Sequence, residues 1–184
     1  QQHLLGNAVA ALGRDGSGGL ELAVGAGGLV ATSTTFTTES AGTYGQGIPA
    51  LPFEGTLHCG QSPVLVGLAG NGGFHTNLGL LNLGATELRV DFALHAPDGA
   101  LLGTRTLAAA PRGFTQATDV LSSLTTDTVR GGYALLTCDA AGAAFHAYAS
   151  VVDDGSHDPT FVAPVIAQPT PLNVMIPAVA HTPG

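Results

Sequence analysis

Residues 87–95 alternate. Leu88, Val90, Phe92 and Leu94 point one way, while Glu87, Arg89, Asp91 and Ala93 point the other. Ala96-Pro97-Asp98-Gly99 follows, and residues 101–107 return. Period-2 alternation closed by Pro-Asp-Gly predicts an antiparallel hairpin with one buried face. Residues 76–83 form another strand-like run, stopped at Gly84-Ala85-Thr86. Residues 133–138 and 145–152 are read as strands joined by Asp139-Ala140-Ala141-Gly142. Residues 20–24 and 29–38 are read as two more, joined by Gly25-Ala26-Gly27-Gly28. In the second of these, Val30, Thr32, Thr34 and Phe36 share a face. Residues 1–12 read as one short helix, 119–124 as a helical turn, and 129–132 (Val-Arg-Gly-Gly) as a loop. The predicted class is all-β: antiparallel β-sandwich units, Ig-like or jelly-roll-like, with short helical turns.

Composition refines this picture. Hydrophobic residues are 45% of the 184, enough for a proper core. With 27 Gly and 11 Pro in so apolar a chain, turns rather than disorder are expected. There is no Lys; five Arg stand against thirteen acidic residues, for a net charge of -8. That balance argues against nucleic-acid partners and anionic membrane surfaces. No run of about 18 apolar residues is present, so membrane insertion through a helix is not expected. Cys59 and Cys138 are read either as one disulfide of an exported protein or as two buried thiols that never meet.

An internal repeat organises the chain. Gly18-Gly19-Leu20-Glu21-Leu22 matches Gly131-Gly132-Tyr133-Ala134-Leu135, and Gly42-Thr43-Tyr44 matches Pro159-Thr160-Phe161. A second echo joins Ile48-Pro49-Ala50-Leu51 to Ile176-Pro177-Ala178-Val179. The expected division is therefore 1–52, the C-terminal half of one unit; 53–168, a complete unit; and 169–184, an extended tail that opens a further unit or serves as a donor strand. On this reading apolar faces and strand edges are covered from outside, by copies of the same chain or adjacent repeats. Leu172, Val174 and Ile176 alternate, followed by Val179, and are the expected intersubunit strand.

The stretches GLVATSTTFTTESAGTYGQGIPALP, FHTNLGLLNLG and AYASVVDDGSHDPTFVAP resemble β-sandwich tandem repeats of large secreted and cell-surface bacterial proteins. The likeness covers nearly the whole chain. It implies an exported, Ig-like β-sandwich without known catalysis or a defined ligand.

Candidate chemistry is sparse. Asp153, Asp154 and Asp158 could give oxygens to a Ca²⁺ ion, although their spacing is not that of a helix-loop-helix site, and the alternative is a turn shaped by Asp and Gly. The seven histidines (His3, His58, His75, His95, His146, His157, His181) show no metal-finger spacing. No Gly-x-Ser-x-Gly elbow is present, and the glycine-rich loops are followed by strands rather than helices. No catalytic residue and no bound cofactor other than that Ca²⁺ is expected. Residues 32–40 are mostly hydroxyl-bearing, either a wet strand face or an O-glycosylated one. The expected role is non-enzymatic and extracellular: a protomer or repeat of a surface filament, stalk or layer. The alternative is an adhesin or a carbohydrate- or substrate-binding module.

Overall fold

A computed structural model describes residues 4–40 and 42–166. The chain is all-β with antiparallel sheets. Its only α-helix among the described residues is α1, Ala8–Ala11, whose N-terminus is capped by the Asn7 side chain accepting from the Ala10 N–H. Of the helix expected over 1–12, the described residues 4–12 form one turn; Gly6 and the capping Asn7 favour non-helical backbone ahead of it. Residues 20–24, expected as a strand, have no ladder partner among the described residues and form no strand.

A first sheet is the hairpin of β1 (Thr32–Glu39) and β2 (Gly42–Pro49), paired in unbroken register from Thr32 opposite Pro49 to Glu39 opposite Gly42. After a 3-10 turn at Phe53–Gly55 come the strands of a sandwich. These are β3 (Leu57–His58), β4 (Pro63–Gly70), β5 (Phe74–Asn82), β6 (Leu88–His95), β7 (Leu101–Ala109) and β8 (Phe114–Ala117). They continue as β9 (Val129–Thr137), β10 (Ala144–Asp153), β11 (Pro159–Val162) and β12 (Val165–Ile166). One sheet has the order β11-β10-β5-β8, with β3 also on β10; the other runs β12-β4-β9-β6-β7.

The core lies between these two sheets. In β6, Leu88, Val90, Phe92 and Leu94 are buried, as the alternation predicted. Leu65, Leu68, Leu78, Leu80, Leu136 and Phe145 meet them from the other strands. Each such side chain contributes roughly 1.5–3 kcal/mol relative to exposure. The β6–β7 turn closes with Gly99 N–H to Ala96 O and Ala100 N–H to Asp98 Oδ1.

Residues 129–132, expected as a loop, are the first part of β9, a central strand between β4 and β6. The Gly pair marks an irregularity rather than an ending: Gly131 sits at φ 76°, where the β4–β9 register shifts beside Leu68 and Gly132. Two buried polar side chains, Thr76 and Asn82, and the half-buried Asn71 hold the crossings between sheets. Thr76 Oγ1 donates to Ala69 O and accepts from Ala69 N–H, tying β5 to β4. Asn71 donates to Thr125 O and Asp127 O. Asn82 Nδ2 donates to Thr86 O, Ala109 O and Ala110 O, and its Oδ1 accepts from Gly84 N–H.

Candidate functional site

The loop between β10 and β11 carries the three expected Ca²⁺ ligands. Only the Asp153 carboxylate is used within the turn, and the Asp154 carboxylate goes to β5. Asp153 Oδ1 accepts the N–H groups of Ser156 and Gly155 at 3.0 and 2.7 Å, and these bonds hold the exposed carboxyl below its ordinary range. Asp154 Oδ1 lies 2.5 Å from His75 Nδ1 on β5. Asp158 gives its carbonyl to Asp153 N–H, while its own N–H donates to Ser156 Oγ. His157, at φ 62°, makes a T-shaped ring contact with Tyr44 of β2, centroids 5.9 Å apart. The structure does not gather the three carboxylates: among the described residues no three His, Cys, Asp or Glu side chains form a group that could hold a metal ion.

The structure pairs Cys59 with Cys138 as a disulfide, with Cα atoms 5.2 Å apart. Cys59 follows β3 of one sheet and Cys138 follows β9 of the other, so the bond ties the two sheets. Leu172, Val174, Ile176 and Val179 lie outside the described residues, as do His3 and His181.

Two outer sheet faces were not legible as sites. On β8-β5-β10-β11, Tyr148 lies across Gly79, whose added Cβ would stand 2.1 Å from the ring, and reaches β8 to donate to Gln116 Oε1 at 2.6 Å. Phe114 and Phe161 flank it with near-parallel rings, centroids 6.3 and 5.4 Å away. All three rings are partly exposed, and burial raises the Tyr148 pKa. His146, on the same face, has its pKa lowered by burial. The N-terminal segment reaches this face twice: Gly19 lies against Leu81, and Ser150 Oγ donates to Gln46 Oε1 of β2. The one sequence signal for the row was Gly79 inside a strand, a mark of close approach; its partner residues lie too far apart to be read together.

Part of the outer face of β12-β4-β9-β6-β7 is apolar, while Arg89 and Asp91 of β6 stand on the rest of it. Val66 faces Tyr133, Val64 faces Leu135 and Val165, and His95 stacks on Tyr133 with centroids 4.8 Å apart. Val66, Leu101 and Val165 are 51%, 60% and 52% exposed. Beyond this patch is a shallow polar hollow with Glu87, Arg89, Asp91 and Thr106 on its wall. There Arg89 Nε donates to Glu87, and Thr106 donates to Asp91. The ring nitrogens of His75 and His95 bond to a carboxylate and to a backbone carbonyl; among the described residues no hydroxyl or thiol is hydrogen-bonded to a histidine ring. What these surfaces can do is adsorb: flat rings and aliphatic side chains against another surface.

Comparison with protein-family models, with curated proteins and with solved structures finds no significant match.

Proposed function

We propose that this chain is a non-enzymatic extracellular structural protein, a β-sandwich protomer or repeat of a bacterial surface filament, stalk or layer. The observation that carries the reading is an apolar patch on the outer face of β12-β4-β9-β6-β7, where Val64, Val66, Tyr133, Leu135 and Val165 lie on adjoining strands. Val66, Leu101 and Val165 stay half exposed on a sheet whose other face is a fully packed core. Contiguous apolar surface of this kind marks contact with another protein surface. Location outside the cell is supported by the Cys59–Cys138 bond, which persists in oxidising compartments. No helix among the described residues is long and apolar enough to cross a membrane. The partners on this reading are copies of the chain or adjacent repeats.

The row Phe114, Tyr148 and Phe161 favours a second reading, an adhesin or carbohydrate-binding module, since parallel rings on a sheet face suit stacking against sugar rings. Negative-stain imaging of native material, then the chain mass after boiling in detergent, separates the two. Filaments or layers releasing a chain near 18.3 kDa support separate protomers, and a much larger chain supports a tandem array. Monodisperse globules that adsorb to insoluble polysaccharide, and lose adsorption on Tyr148→Ala, would replace the structural reading with the binding one.

A further inference from the structure

The edges of the sandwich are protected and the edge of the hairpin is not. Native sheets blunt their edges with short strands, proline, bulges or charge. β8, β11 and β12 are four, four and two residues long, and β11 begins at Pro159. β7 carries Arg105 and pairs with β6 through an irregular register at its start. β1 has none of these devices. Its eight residues, Thr-Ser-Thr-Thr-Phe-Thr-Thr-Glu, are exposed throughout, carry one charge at the last position, and pair with β2 without a register break. Among the described residues β2 is its only ladder partner, so its second edge presents open backbone donors and acceptors. A two-stranded hairpin is marginal alone, and a third strand completes it.

The chain also holds a segment suited to that edge. Eighteen residues, 167–184, follow the last described residue, Ile166. Within them Leu172-Asn173-Val174-Met175-Ile176 is free of proline, so every backbone N–H can donate, and Pro171 and Pro177 bound it. Its end, Ile176-Pro177-Ala178-Val179, echoes Ile48-Pro49-Ala50-Leu51, which closes β2. β2 is the strand already paired to β1, with Ile48 opposite Ser33, Gln46 opposite Thr35 and Tyr44 opposite Thr37.

We infer that residues 172–176 of a second copy pair antiparallel with the open edge of β1, in the register β2 uses on the other edge. Ile176 then stands opposite Ser33, Val174 opposite Thr35 and Leu172 opposite Thr37. The three apolar side chains fall on the hairpin face that Tyr44, Gln46 and Ile48 turn, half buried, toward the sandwich. This deepens the structural reading and rests on it: each copy receives a strand at its N-terminal hairpin and gives one from its C-terminal segment. That head-to-tail pattern builds an open filament unless its rotation closes a ring.

The test is cross-linking of the full chain. Directly opposed antiparallel residues have Cα atoms within disulfide range, and the native cysteines are already paired. Chains carrying Thr35→Cys are mixed with isotope-labelled chains carrying Val174→Cys and oxidised gently. The expected result is a linked heterodimer, with residue 35 joined to residue 174, in about tenfold excess over 35–35 links and over the Thr35→Cys with Met175→Cys mixture. No such excess, while wild-type chains still associate, overturns the edge assignment and leaves the structural reading standing. Wild-type chains that remain monomeric at the highest soluble concentration overturn both. A chain carrying both substitutions that closes only on itself, as an internally linked monomer, overturns the second copy as the occupant.

Discussion

The carboxamide of Asn82 is 1% exposed and serves four backbone groups from two crossings, the β5–β6 turn and the end of β7. A buried carbonyl left unpaired costs about 1–3 kcal/mol, far more than a hydrogen bond contributes when both partners are present. Asn82→Ala is therefore expected to destabilise by about 3–5 kcal/mol, read from the urea midpoint, and Asn82→Asp by no less, because Asp lacks the donors. Two titrating groups give separate pH signatures. Burial lowers the His146 pKa from its ordinary 6.5, so the unfolded chain binds the extra proton. Its contribution is intact above that value and is lost as pH falls through it toward the folded value. Asp153 behaves as a depressed carboxylate: N–H bonds from Ser156 and Gly155 favour its anion, and stability is lost only as pH falls below its ordinary 3.8. Denaturation midpoints measured across pH should drop in two steps. His146→Phe should remove the upper step and Asp153→Asn the lower; an unchanged upper step in His146→Phe would refute the assignment.

Among elements, the β6–β7 hairpin was fully legible because each local signal agreed: alternation, Pro-Asp-Gly and one buried face. β5 and β10 were legible as strand-like runs bounded by turn residues, Gly84-Ala85-Thr86 after β5 and Asp139-Ala140-Ala141-Gly142 before β10. Residues 129–132 were misread because glycine, usually punctuation, here serves a register shift inside a central strand. Residues 20–24 were misread the opposite way: Leu-Glu-Leu-Ala-Val has strand propensity and alternation, but β structure needs a ladder partner, and among the described residues it has none. The repeat therefore matches in sequence where it does not match in structure, since Tyr133-Ala134-Leu135 lies within β9 while Leu20-Glu21-Leu22 is not a strand. The disulfide closes a separation of 79 residues. By the chain-entropy account a loop of that size contributes on the order of 4 kcal/mol. Cys59→Ser with Cys138→Ser should lower stability by about that amount, and reduction of the wild-type chain should match it. A loss below about 1 kcal/mol would mean that the packed sheets alone hold this end of the sandwich.

For the whole molecule, the half-exposed patch of Val66, Leu101 and Val165 was not legible in the sequence. The apolar residues of the second sheet's outer face come from β4, β6, β7, β9 and β12, and only the register brings Val66, Tyr133 and Val64 to one place. Val66→Thr and Leu101→Thr keep uncharged side chains at exposed positions. They are expected to leave the denaturation midpoint within about 0.5 kcal/mol. Sedimentation should show association weakened about tenfold if this face joins copies; unchanged association would assign the face no part in assembly. The sandwich has a mechanical consequence as well. Of the nine connections from β3 to β12, only β6–β7 and β10–β11 stay within one sheet. Neither sheet is contiguous in sequence, so it cannot peel away and must yield together with the other. Loop closure must precede reward, which places folding in the slow, millisecond-to-second range. Under tension such a unit would lengthen in a single step, and the Cys59–Cys138 bond would withhold the 79 residues it spans. At the reach of an extended chain, that is roughly 270 Å of slack. An oxidised chain would behave as a short, stiff link and a reduced one as a long one, so the redox state of one bond would set how far the protein extends.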